Sequence, residues 1–159
     1  MRRSFEECRE PVIALLNKSP FVKVIGLEIT EINEGHAVGR IPLKEGNLNP
    51  YGSVHGGCLY ALADSVAGTV ANSCGELVMT VSGNMNFLDV ATDVDYIYCE
   101  ANLIRCGRSM VVVRAEIKTE SGKLLDEGTF NFFRSGIDVV TGEKNSLRSL
   151  RGGYKTKDC

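Results

Sequence analysis

Between Asn47 and Gly75 the chain reads NLNPYGSVHGGCLYALADSVAGTVANSCG, and Asp64 is the only Asp, Glu, Lys or Arg in those 29 residues. An ionised carboxylate is costly to remove from water unless a partner or a task compensates it. Upstream, His55-Gly56-Gly57 stands where a helix would begin. The first backbone N–H groups of a helix lack intrahelical acceptors and carry the positive end of its dipole. Glycines there remove the Cβ shield, so a ligand oxygen can reach those N–H groups. Such a corner can hold an oxyanion, the charge that develops in acyl transfer. Asp64 follows Gly57 by seven residues, about two turns and about 10 Å along the axis, on nearly the same side. An acid and an oxyanion donor along one groove suit attack of water, or of the carboxylate itself, on an acyl carbonyl. Two plainer readings stand beside this one: the glycines serve tight packing, and Asp64 pairs with an arginine or caps amides in the core.

Leu59, Leu62, Ala63, Val66, Ala67 and Val70 recur at helical spacing and give one apolar face. The opposite side carries Gly57, Ala61, Asp64, Ser65, Gly68, Ala71 and Asn72, without the Lys and Glu of a solvated face. That helix is therefore expected to be buried and closely approached by other backbone. A shorter helix is expected over Ser4 to Asn17, opened by a Ser4–Glu7 capping box. From Phe21, the spacing of Val22, Val24, Leu27, Ile29 and Ile32 predicts a strand bent at Gly26. A turn at Asn33-Glu34-Gly35 leads to a return strand over His36 to Leu43. Four β-patterned runs follow the central helix, Leu77 to Leu88, Tyr96 to Ile104, Met110 to Thr119 and Leu124 to Phe133. Short turns between the last three make an antiparallel meander. A single apolar helix in a strand-rich chain must be wrapped by the sheet, which predicts an α+β fold.

The 159 residues are expected to form a single domain, 1–159, with its core over about 21–134. Residues 1–20 would be the N-terminal helical segment and 136–159 a polar tail, disordered or in contact with a partner subunit. A net charge of −2 supplies no basic face for nucleic acid or a membrane surface. No apolar stretch is long enough to span a bilayer, and the N-terminus has only a short apolar run after its two arginines. Six cysteines without a CxxC pair read as reduced thiols in a cytoplasmic protein. Two histidines without HExxH spacing argue against zinc, and no metal is expected.

The segment from Asn49 to Asp64, Asn-Pro-Tyr-Gly-Ser-Val-His-Gly-Gly-Cys-Leu-Tyr-Ala-Leu-Ala-Asp, resembles the signature of the hotdog-fold acyl-CoA thioesterases. It is similar to the phenylacetate-pathway (PaaI-like) branch in particular, with Asn-x-x-Gly-x-x-His-Gly-Gly followed by Leu-x-Asp on a helix. The resemblance spans roughly Val22 to Arg134. It implies a hotdog fold, an antiparallel sheet of five or six strands around a long central helix. It implies an acyl-CoA substrate with an aryl or medium-chain acyl group, hydrolysed to free acid and coenzyme A. No cofactor is implied, coenzyme A being part of the substrate. It further implies a homodimer whose two chains build each site, with dimers pairing into a homotetramer.

Carried over by position, Asp64 is the catalytic carboxylate, as base on water or as nucleophile, and the Gly56 N–H polarises the thioester carbonyl. His55 and Asn49 orient the loop, the substrate carbonyl or the water. Ser82 helps to position water, and Gly57 and Gly83 belong to the substrate-binding surface. Arg105 and Arg108 fall in a turn where relatives carry basic residues near the coenzyme A phosphates, or form a plain solvated turn; Arg134 has a claim of the same kind. Cys58 reads as packing, since no partner base stands at a recognisable spacing. Many relatives continue the Asn-Phe-Leu strand into a proline, where this chain has Asp89-Val90-Ala91. Two alternatives are an enoyl-CoA hydratase and a non-catalytic acyl-CoA-binding hotdog protein. The first needs a His shortly after the acid, where this chain has Ser65-Val66-Ala67-Gly68-Thr69, and the second would lack the acid.

Overall fold

The computed structural model describes residues 3–92 and 94–144. Helix α1 (Phe5–Asn17) begins at the expected capping box, with Ser4 accepting from the Glu7 N–H and the Glu7 carboxylate accepting in return from the Ser4 N–H. The strand expected from Phe21 is not there. Residues Pro20–Ile25 form a short helix, α2, and the strand β1 starts only at Glu28 and ends at Asn33. Ser19 caps α2 by accepting from the Val22 N–H, Pro20 supplies a preset φ in the first turn, and Gly26 closes it at φ 74°. Cap chemistry at both ends outweighs the strand-like spacing of Val22 and Val24.

The order then continues as β2 (His36–Pro42), α3 (Gly56–Asn72), β3 (Glu76–Phe87), β4 (Tyr96–Cys106), β5 (Met110–Thr119) and β6 (Leu124–Asp138). All six strands form one antiparallel sheet in the order β1-β2-β4-β5-β6-β3. The expected α+β architecture, a sheet around one long helix, is the one found. Residues Leu59, Leu62, Ala63, Val66, Ala67 and Val70 of α3 are buried against the sheet. Each of its fully buried Leu or Val side chains contributes about 1.5–3 kcal/mol by leaving water. Close approach of helix and sheet depends on Gly39, where a Cβ would lie 2.6 Å from Val66 Cγ2.

The last strand also departs from expectation. Instead of ending near Phe133 with a loose tail from Gly136, β6 runs to Asp138, and Val139 is buried behind it. Arg3 Nε donates to Asp138 Oδ2 at 2.9 Å, so the start of the chain is tied to the end of the sheet. The rest of the expected tail, 145–159, lies outside the described residues.

One core position breaks the apolar rule. Asp126 lies on the face of β6 that carries Phe130, is 0% exposed, and neither carboxylate oxygen meets a hydrogen-bond partner among the described residues. Burial alone pushes its pKa up to about 6. The buried Cys99 thiol of β4 is close enough to feel its charge.

Candidate active site

The loop before α3 is held by two asparagines with different tasks. Asn49 folds its own turn: Oδ1 accepts from the N–H groups of Tyr51 (2.9 Å) and Ser53 (3.2 Å), and Nδ2 donates to Ser53 Oγ at 2.8 Å. Its side chain is thus committed to the loop. Asn47, which sequence reasoning missed, is 3% exposed and donates from Nδ2 to the carbonyls of Ile25 (2.9 Å) and Pro42 (3.0 Å). Its own carbonyl accepts from the His55 N–H at 2.8 Å. Asn47 therefore pins the end of α2 and the end of β2 through its side chain, and the residue that starts α3 through its backbone carbonyl. Asn47→Leu would leave the Ile25 carbonyl without its donor and the Pro42 carbonyl with the Lys44 N–H alone, and urea unfolding should show a loss of about 1–3 kcal/mol. A change below half a kcal/mol would remove this role.

His55 is the N-cap of α3, and its Nδ1 accepts from the Gly57 N–H at 2.9 Å. Accepting there requires Nδ1 to be without a proton. The Gly57 amide is consequently spent on the cap, while the Gly56 N–H meets no acceptor among the described residues. The exposed Phe87 ring stands beside it, with Cε1 3.5 Å from where a Gly56 Cβ would be.

Asp64 is half-buried and is not held by an arginine: among the described residues it has no ion-pair partner, and Thr80 Oγ1 donates to its Oδ1 at 2.9 Å. Burial raises its pKa above the ordinary carboxylate value, and the Thr80 hydrogen bond partly offsets that rise. The carboxylate opens on a cleft of about 240 Å³ shared with Val78, Thr80 and Phe132.

Ser82, expected near the attacking water, is not brought to Asp64 in the chain. Its Oγ accepts from Asn131 Nδ2 at 3.0 Å. Thr80 and Ser82 share strand parity, yet the β3–β6 register shifts between them, and the extra residue turns Ser82 to the other face. Nothing in the residue types announces that bulge, which is why sequence reasoning named Ser82 and missed Thr80. Gly83 serves close packing, since a Cβ there would overlap the Tyr60 hydroxyl and the Phe130 ring. Arg105 and Arg108 are exposed in and beside the β4–β5 turn. Arg134 ties that turn to the C-terminal end of α3, donating to the carbonyls of Gly107 (3.0 Å) and Cys74 (3.3 Å). Buried and paired with Glu76 at 3.1 Å, Arg134 is a structural clamp rather than a free phosphate ligand. Burial raises the Cys58 thiol's pKa, which suits packing and not nucleophilic attack.

The thioesterase superfamily model matches residues 51–125. The 1,4-dihydroxy-2-naphthoyl-CoA hydrolase of Listeria monocytogenes is 30% identical over 106 residues, 65% of this chain and 85% of that protein. The chain belongs to the thioesterase superfamily. It is a thioester hydrolase, and it is 27% identical to the acyl-coenzyme A thioesterase PaaI of Escherichia coli over 130 residues, 82% of this chain and 92% of that protein. The solved structure of E. coli PaaI superposes with a TM-score of 0.78 at 24% identity, covering 84% of this chain and 97% of that one, which establishes the PaaI-like hotdog fold. Among further solved structures are two variants of a hypothetical thioesterase of Streptococcus pneumoniae, each 28% identical with a TM-score of 0.65 over 69% of this chain. They cover 89% and 90% of those chains. One variant replaces an Asp and the other a Thr sixteen positions later, the separation of Asp64 and Thr80 here. No helix among the described residues of this thioesterase is long and apolar enough to cross a membrane.

Proposed function

We propose that this thioesterase hydrolyses acyl-CoA esters to free acid and coenzyme A, with Asp64 as general base. The observation that carries the reading is the half-buried Asp64 carboxylate, without an ion-pair partner among the described residues, fixed at one oxygen by Thr80 and opening on a cleft. Its raised pKa makes it a stronger base than a solvated carboxylate. The free oxygen takes a proton from water as the water oxygen bonds to the thioester carbon. The carbonyl oxygen becomes negative and is met by a Gly56 N–H, the C–S bond then breaks, and the thiolate leaves. A thiol with a pKa near about 8.5 is a good leaving group without an acid catalyst. Asp64 lies eight residues beyond Gly56, about 12 Å along the helix. That gap is too long for both to grip one thioester, so the Gly56 of a second copy completes each site. Arg105 and Arg108, exposed in and beside the β4–β5 turn, would then lie toward the coenzyme A phosphates.

The test is release of free thiol from acyl-CoA esters by the purified chain, followed with a thiol-reactive dye. Turnover should appear, and specific activity should fall on dilution as paired chains separate. Tight acyl-CoA binding without thiol release would instead make the protein a binding module.

Thr80→Val removes the hydrogen bond that restrains the Asp64 pKa, so the acid limb of kcat/KM should move to higher pH. A fall in kcat of about tenfold is expected from the lost orientation of the base. An unmoved limb in the pH–rate profile would separate Thr80 from the base.

A further inference from the structure

At the end of α3 far from the glycine corner, Cys74 and Cys106 open on one cavity of about 430 Å³, which shares no lining residue with the Asp64 cleft. Cys74 lies in the turn that follows α3, Cys106 is the last residue of β4, and the two stand 32 residues apart in the chain. Both thiols are half-buried, whereas Cys8 and Cys99 are sealed in the core. One side chain joins the two positions: Arg134 Nη2 donates to the Cys74 carbonyl at 3.3 Å, and its Nη1 donates to Cys106 Sγ at 3.6 Å. A cation thus lies against the Cys106 sulfur. The Cys74 thiol reaches back to the Val70 carbonyl of its own helix at 4.0 Å. Neither sulfur has a task in the hydrolysis of a thioester at Asp64.

We propose that Cys106 and Cys74 form a dithiol–disulfide redox pair, oxidised by a low-molecular-weight disulfide such as that of glutathione. Reactive cysteines occur beside arginine and in partly exposed surroundings, which marks Cys106 as the sulfur that attacks first. Its thiolate bonds to one sulfur of the glutathione disulfide, the S–S bond breaks, and one glutathione leaves as thiolate. Cys74, on the same cavity, then attacks the Cys106 sulfur of the mixed disulfide as its own proton passes to water. The second glutathione leaves as thiolate, and the Cys74–Cys106 bond remains. Two electrons pass from the protein's sulfurs to the reagent, and two glutathione molecules appear for each disulfide consumed. Each cysteine is followed by a glycine, Gly75 or Gly107, so both turns can settle at the Cα separation of about 5.5–6 Å that such a bond prefers. The bond fastens the C-terminal end of α3 to the end of β4, the two places that Arg134 bridges in the reduced chain.

The test is incubation of the purified chain in glutathione buffers of rising disulfide fraction, followed by peptide mass spectrometry. The wild-type chain should lose two hydrogens and yield a peptide pair that joins Cys74 to Cys106. In Cys74→Ser the reaction should stop at one glutathione on Cys106. In Cys106→Ser, modification of Cys74 should fall by about tenfold or more, since the sulfur that attacks first is gone. Closing a loop of 32 residues should also raise the urea midpoint of the oxidised chain, and dithiothreitol should bring it back. Mapping of the wild-type chain decides the matter if either variant does not fold. Both sulfurs still reduced in the most oxidising buffer, or either of them joined to a different cysteine, overturns the proposal. So does glutathione on Cys74 ahead of Cys106.

Discussion

Asp64→Asn is expected to lower kcat for acyl-CoA hydrolysis by about a thousandfold, within the range that a positioned base contributes. The amide keeps the size of the carboxylate and can still accept the Thr80 hydrogen bond, so the fold should not change. It cannot take a proton from water near neutral pH. Since the native group carries a desolvation cost, the substitution should leave the protein as stable as before or slightly more so. Substrate binding should persist, giving a loss in kcat with little change in the affinity for an uncleavable thioether. Retained turnover in this variant would take Asp64 out of the reaction, and the acid would then be a structural oddity on an otherwise uncharged helix.

Asp126 predicts a second large effect, on stability. Its folded pKa of about 6 lies above that of an unfolded carboxyl. Below the unfolded value both states hold the proton and there is no penalty. As pH rises, the unfolded chain releases its proton first, so stability falls until the folded carboxyl also ionises, and it levels off above about pH 6. Replacing Asp126 with Asn removes the titration. The difference in unfolding free energy between variant and wild type should therefore grow in the variant's favour by about 2 kcal/mol from pH 4 to pH 8. Urea melts across that interval measure it. Parallel curves for the two proteins would mean that the carboxyl finds a partner when charged.

The two acids differ in how they could be found. Asp64 stands out in the sequence because its surroundings are uncharged and helix geometry is rigid enough to relate it to Gly56 by counting. Asp126 sits in a strand with Glu127 beside it, where alternation suggests one solvated and one buried position without saying which loses its partners. The sheet and the central helix were legible for the same reason, since their apolar periods are long and unbroken. Helix α2 was not: six residues are too few for a period to show, and Ser19-Pro20 with Gly26 had to be read as caps. Nor was Thr80, because a bulge changes which residues share a face while leaving the spacing of residue types untouched. Asn47 was hidden by distance, its partners Ile25 and Pro42 being brought to it only by the fold.

The bond from Arg3 to Asp138 joins positions 135 apart in the chain, with both side chains mostly shielded from solvent. It fastens the beginning of α1, and α1 is also the flank of the Asp64 cleft. One wall of the cleft is thus coupled to the last turn of the sheet, at residues that a survey confined to the glycine corner and its acid would never visit.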